Sequence, residues 1–147
     1  MAIRRMDHVG VVVDDLEAAI AFFVELGMER QGTGVGSVEG QWVDQVVGLD
    51  GVRVDIAFVR TPDGMGRLEL TKFHAPEAVE AGSTAPNTLG LRRLMFAVDD
   101  IDDVVARMQA HGAELIGDVA QYKDVYRLCY LSGPGGVIVA LAEELSR

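Results

Sequence analysis

Apolar positions in this chain first fall into an alternation, then into a helical spacing, and the chain writes that succession twice. Residues 3–13 are rich in β-branched side chains and stop at Asp14-Asp15, the pattern of a buried strand ended by a helix start signal. Leu16, Ile20, Phe23 and Val24 then recur at helical spacing, with Asp14 or Asp15 as N-cap and Glu17 in the first turn, where the helix dipole favours an anion. Gly27 stops that helix. Residues 28–38 are Gly-rich and read as a weakly patterned strand, and 41–49 as a short helix carrying Trp42, Val43, Val46 and Val47. Val52, Val54, Ile56 and Phe58 alternate against Arg53, Asp55 and Ala57, and a Pro62-Asp63-Gly64 turn leads to a partner strand over 66–73, predicting a hairpin.

The second copy begins at Arg93. Val13-Asp14-Asp15 falls on Val98-Asp99-Asp100 at the same spacing that lays Gly27 and Gly32 on Gly112 and Gly117 and His8 on Arg93. Its predicted elements are a strand over 91–98, a helix over 101–111, strands over 113–119 and 125–131, a turn over 132–136 and a last strand over 137–142. Pro134-Gly135-Gly136 answers Pro62-Asp63-Gly64, and Leu141 answers Leu70, so Ala140 stands where the first copy has Glu69. The expected architecture is α+β: one domain over 1–147, made of two strand-helix-strand-strand-strand units, about 1–74 and 90–147. The polar stretch 75–89, with Pro76, Gly82, Ser83, Pro86 and Asn87, is the linker between them.

Composition narrows the partners. A length of 147 residues suits one domain, and 49% hydrophobic residues suffice for a core. A net charge of -10 disfavours nucleic acid and anionic membrane, both of which reward a basic face. Cys129 is alone, which excludes an intramolecular disulfide and points to a reducing cytoplasm. Neither a signal peptide nor an apolar run long enough to span a bilayer is expected.

The duplicated unit, from His8-Val9-Gly10 to Val139-Ala140-Leu141, resembles the vicinal oxygen chelate superfamily, which groups glyoxalases, bleomycin resistance proteins and extradiol dioxygenases. The resemblance covers essentially the whole chain. It implies a curved, cup-shaped mixed sheet in which each unit supplies one metal ligand from its first strand and one from its last. In the first unit those positions carry His8 and Glu69, a suitable pair for a divalent metal such as Zn, Ni, Fe or Mn. Strand parity agrees, because Met6, His8, Gly10 and Val12 share one face and Val9, Val11 and Val13 the other, which suits packing on the helix. Glu69 likewise shares its face with Arg67 and Thr71, away from Leu68 and Leu70.

The second unit departs from the pattern at both positions. Arg93 has no lone pair to give and Ala140 has no donor atom, so neither binds a metal. Two alternatives stay open: metal binding through His8 and Glu69 with a third donor from His74, Tyr126 or Glu143, or no metal and a Glu69 to Arg93 ion pair. His111, at a helix end, carries no chemistry in this reading. Arg93, Tyr126, Arg127 and Trp42 are the candidate substrate-binding residues, on the expectation that one face of the penultimate strand lines the cup.

The resemblance therefore implies first a metal-dependent lyase or isomerase, with Glu69 as catalytic carboxylate acting on a small oxygen-rich substrate. The alternative is a metal-free small-molecule binding protein of the bleomycin-resistance kind, with Arg93 gripping the ligand. An extradiol-type dioxygenase ranks third, since Arg93 replaces the second histidine that iron would want. Exposed sheet edges suggest a homodimer.

Overall fold

Asp15 turns the chain from strand to helix by accepting a hydrogen bond from the Ala18 backbone N–H at 3.0 Å, and Asp100 does the same in the second copy from Asp103 at 3.1 Å. Each satisfies a backbone donor that the first turn leaves without an intrahelical partner. The other ends match as well. Gly27 and Gly112 take positive φ of 123° and 90°, and the residues after them, Met28 and Ala113, close back onto the carbonyls of Phe23 and Met108.

These caps frame the elements of a computed structural model that describes residues 2–145. The chain divides into two compact units, Met1–Glu80 and Ala81–Arg147. The first contains β1 (Val9–Val12), α1 (Leu16–Leu26), β2 (Glu29–Glu39), α2 (Gln41–Val47), β3 (Arg53–Arg60) and β4 (Arg67–Ala75). Its sheet has the order β1-β4-β3-β2, with β1 parallel to β4 and the other pairs antiparallel. The second contains β5 (Arg93–Ala97), α3 (Ile101–Ala110), β6 (Ala120–Tyr122), β7 (Tyr126–Ser132), a 3-10 turn at Pro134–Gly136 and β8 (Ile138–Glu144), in the order β5-β8-β7-β6. The fold is α+β, and among the described residues no helix is long and apolar enough to cross a membrane.

Alternation divides the faces of the first sheet as expected. Val11, Val13, Ala57, Val59, Leu68 and Leu70 are buried with Phe23 and Ile20 of α1, and each fully buried Leu or Phe contributes about 1.5–3 kcal/mol. Val12, on the opposite face, is exposed. On that second face Val43 of α2 forms a smaller cluster with Val52, Val54, Ile56 and Phe73. Asp44 braces α2 by accepting from the backbone of Gly51 and Val52 at 3.0 and 2.8 Å.

The hydrogen-bond registers make the duplication concrete. Gly10 pairs with Glu69 across β1 and β4, and Met95 with Ala140 across β5 and β8. Phe58 pairs with Glu69 on β3, and Tyr130 with Ala140 on β7. Glu69 and Ala140 therefore correspond residue by residue, and His8 immediately precedes Val9, the first paired residue of β1, as Arg93 precedes Leu94.

One expected strand is not formed. Over 113–119 there is only an isolated bridge between Leu115 and Leu131, and pairing resumes in the short β6. Gly117, at φ 147°, breaks the ladder there, much as β2 shifts register between Gln31 and Gly36.

Candidate functional site

The first unit builds its polar cluster where the chain enters β1. His8 directs Nδ1 at Asp7 Oδ2, 2.7 Å away, and Nε2 at Glu69 Oε2, 3.3 Å away, so one imidazole is bracketed by two carboxylates. Both flanking groups are fixed from behind. Arg5 and Arg67 reach Asp7 at 3.0 and 3.2 Å, and Thr71 donates to Glu69 Oε1 at 3.0 Å. The hydrogen bond from His8, followed by that from Arg5, holds the Asp7 carboxyl below the usual aspartate range.

Arg67 and Phe58 complete the frame. The Arg67 guanidinium lies 3.9 Å from the centre of the Phe58 ring while its Nε donates to Gln31 Oε1 at 2.6 Å. His8 meets the same ring edge-on, with centroids 5.6 Å apart. The imidazole is thus held by packing as well as by hydrogen bonds.

With Asp7 accepting from Nδ1–H, the neutral imidazole turns a lone pair on Nε2 toward a carboxylate oxygen. Two electron-rich atoms 3.3 Å apart call for a positive centre between them, either a proton or a metal cation. The separation suits a metal: bonds of about 2.1 Å in tetrahedral array place neighbouring donors about 3.4 Å apart. A carboxylate on the far nitrogen is also the usual partner of a metal-binding histidine. The donor count is short, however, since among the described residues no group of three or more His, Cys, Asp or Glu is arranged to hold a metal.

Two of the three expected third donors, His74 and Glu143, are engaged elsewhere. His74 pairs with Asp55 at 2.8 Å, and Asp55 also accepts from Ser37 at 2.7 Å. Glu143 accepts from the Ile101 backbone N–H at 2.8 Å, at the start of α3. Tyr126 is 39% exposed and shares its face of β7 with Tyr130.

In the second unit Arg93 stands over the Tyr130 ring, 5.5 Å from its centre, the place that His8 and Phe58 occupy in the first. Ala140 is fully buried. Arg127 lies on the helix-facing side of β7 with Cys129 and makes a two-pronged ion pair with Asp102 of α3, at 2.7 and 3.0 Å. That pair lowers the Asp102 carboxyl and raises the Arg127 guanidinium. Trp42 is 61% exposed on α2, where its neighbour Val43 is the residue that packs. Cys129 is buried, which raises its thiol.

Asp7 and Thr71 were not singled out from sequence. A carboxylate next in sequence to a candidate metal histidine is the signal that could have found Asp7. Thr71 shares the face of Glu69 and is the buried polar residue of β4.

Comparison with known proteins adds to this geometry. The sequence profile of the glyoxalase/bleomycin resistance protein/dioxygenase superfamily matches residues 7–130. A glyoxalase family protein from Bacillus cereus is 47% identical, with 99% of each chain covered and a TM-score of 0.92. An antibiotic binding protein from a Streptomyces species shares the fold at 22% identity, with 98% of each chain covered and a TM-score of 0.61. So does a fosfomycin resistance protein from Listeria monocytogenes, solved in complex with Mn(II) and sulfate, at 15% identity and a TM-score of 0.63, covering 97% of this chain and 91% of the other.

Proposed function

The chain belongs to the glyoxalase/bleomycin resistance protein/dioxygenase superfamily, and from that premise we propose that it is a glyoxalase-type lyase or isomerase in which Glu69 moves a proton on a small oxygen-rich substrate. The observation that carries this is the line Asp7, His8, Glu69, Thr71, in which every member is oriented by its neighbour. Asp7 keeps the proton of His8 on Nδ1 and leaves Nε2 facing the site. Thr71 ties down Oε1 of Glu69 and turns Oε2 toward His8 Nε2, 3.3 Å away, and in this reading Oε2 is the oxygen that moves the proton.

His8 Nε2 and Glu69 Oε2 would hold a divalent cation, and such a cation supplies polarisation of a substrate carbonyl when bound. The Mn(II) complex of the Listeria protein supports that expectation for the fold. With two donors from this unit, ligand or water must complete the coordination.

A second reading, a metal-free binding protein, is favoured by Arg93 and Ala140, which offer no donor at the two corresponding positions. The antibiotic binding protein of the same fold supports it. Metal analysis of protein purified without chelator separates the two. Stoichiometric Zn, Ni, Fe or Mn that is lost in Glu69→Gln supports the enzyme; protein that takes up none of these metals, even when they are added, sinks it in favour of binding.

A further inference from the structure

An open groove of about 680 Å³ in the second unit is lined by residues 86–93 and Met95, within the size range of small-molecule sites. Its floor is β5, which contributes Arg93 and Met95, and its wall is the segment that precedes β5. That wall is built rather than loose. Ser83 Oγ accepts from Ala85 N–H at 3.2 Å and from the Thr88 hydroxyl at 3.0 Å, and its carbonyl accepts from Arg92 at 3.2 Å. At Gly136, with φ 80°, a Cβ would lie 2.8 Å from the Thr84 methyl, so the segment is seated against the 3-10 turn at a distance that excludes a side chain.

The groove combines two features that seek opposite partners. Leu89, Leu91 and Met95 are 96%, 67% and 53% exposed and give the groove its apolar lining. Beside them Arg93 makes no ion pair with the described residues of its own unit, whereas Arg127 on β7 has Asp102. Its guanidinium stands over the Tyr130 ring, which supports it without occupying its N–H donors.

We infer that this groove binds a small amphipathic oxyanion: a carboxylate or phosphate accepts the two-pronged donors of Arg93, and an attached apolar group covers Leu89, Leu91 and Met95. This goes beyond the functional proposal, since it concerns the second unit alone and requires no role of Glu69.

Titration calorimetry and amide chemical shifts of the full-length protein test it, with 4-phenylbutyrate and phenyl phosphate as probes and 4-phenylbutanol and inorganic phosphate as half-ligands. The expected result is binding of one or both probes about tenfold or more tighter than either half-ligand, with shifts centred on residues 86–95. Whichever probe binds tighter identifies the oxyanion. Arg93→Ala should lower probe affinity about tenfold or more, with Arg93→Lys recovering part of it. Leu91→Ser, at an exposed position, should weaken the probes but not inorganic phosphate. Probe binding that survives Arg93→Ala, shifts that map elsewhere, or no advantage over the half-ligands would each overturn the proposal.

Discussion

Asp7 and His8 are neighbours in sequence that act as one unit, the carboxylate of the first meeting Nδ1 of the second at 2.7 Å. A backbone neighbour is a poor partner when two side chains alternate across a strand. Here β1 begins only at Val9, so both residues lie in the irregular entry segment, where Asp7 can curl back onto the ring.

The first prediction follows from that contact. Asp7→Asn keeps the shape but weakens the hold on the Nδ1 proton, and should reduce affinity for Zn(II) or Mn(II) about 10- to 100-fold. Isothermal titration of both proteins measures it. Equal affinities would show that Asp7 does not orient the ligand.

A second prediction concerns acid. The hydrogen bond from Arg127 lowers the Asp102 carboxyl from its ordinary value of 3.8. The sign is that of a depressed acid: the pair's contribution is complete above the unfolded value and disappears as pH falls through the lower folded one. Asp7 and Asp55, lowered mainly by His8 and His74, act in the same direction. Urea midpoints of the native protein and Asp102→Asn should therefore differ at neutral pH and converge as pH falls well below the ordinary aspartate value of 3.8. Because Asp102 is exposed, the difference should be small. A gap that stays constant into strong acid contradicts this origin.

The seating of residues 83–88 yields a third. Gly136→Ala must place a side chain at positive φ and within 2.8 Å of the Thr84 methyl. The backbone conformation alone costs about 1–2 kcal/mol, so the melting temperature should fall by several degrees. Gly64→Ala, at φ 74° with nothing within 4 Å of an added Cβ, is the control, and a fall for Gly136→Ala no larger than the control's would mean that residues 83–88 do not rest on the turn.

The two faces of β1 were legible in the sequence, because valines at alternate positions had to meet a helix and the strand period then places every other residue. The burial of Val11 and Val13 against the exposure of Val12 bears this out, whereas His8 lies just before the strand, where alternation no longer fixes it. The caps were legible too, since an aspartate before a helical apolar pattern has one local function. What alternation does not encode is partner choice. Arg127 could be assigned to the face of Cys129 from parity alone, but its bond to Asp102 depends on how α3 crosses the sheet. Trp42 was open for a similar reason: a seven-residue helix buries one position, and Val43 holds it. Residues 113–119 do not form the expected strand because the backbone leaves the ladder at Gly117, a break that apolar content alone does not show.

The parallel pairing of the first and last strands in each unit has a consequence for the order of assembly. β1 finds its neighbour only in β4, after the intervening chain has been made and folded into its own antiparallel pairs. During synthesis His8 emerges long before Glu69 and must wait as an unpaired segment until Leu68 and Leu70 arrive to receive Val9 and Val11. Distant contacts of this kind form slowly, because closing the intervening loop costs entropy before any bond rewards it. The contact of His8 with Glu69 therefore joins the two ends of the first unit's chain and closes only when β1, a strand of four residues, has docked on β4.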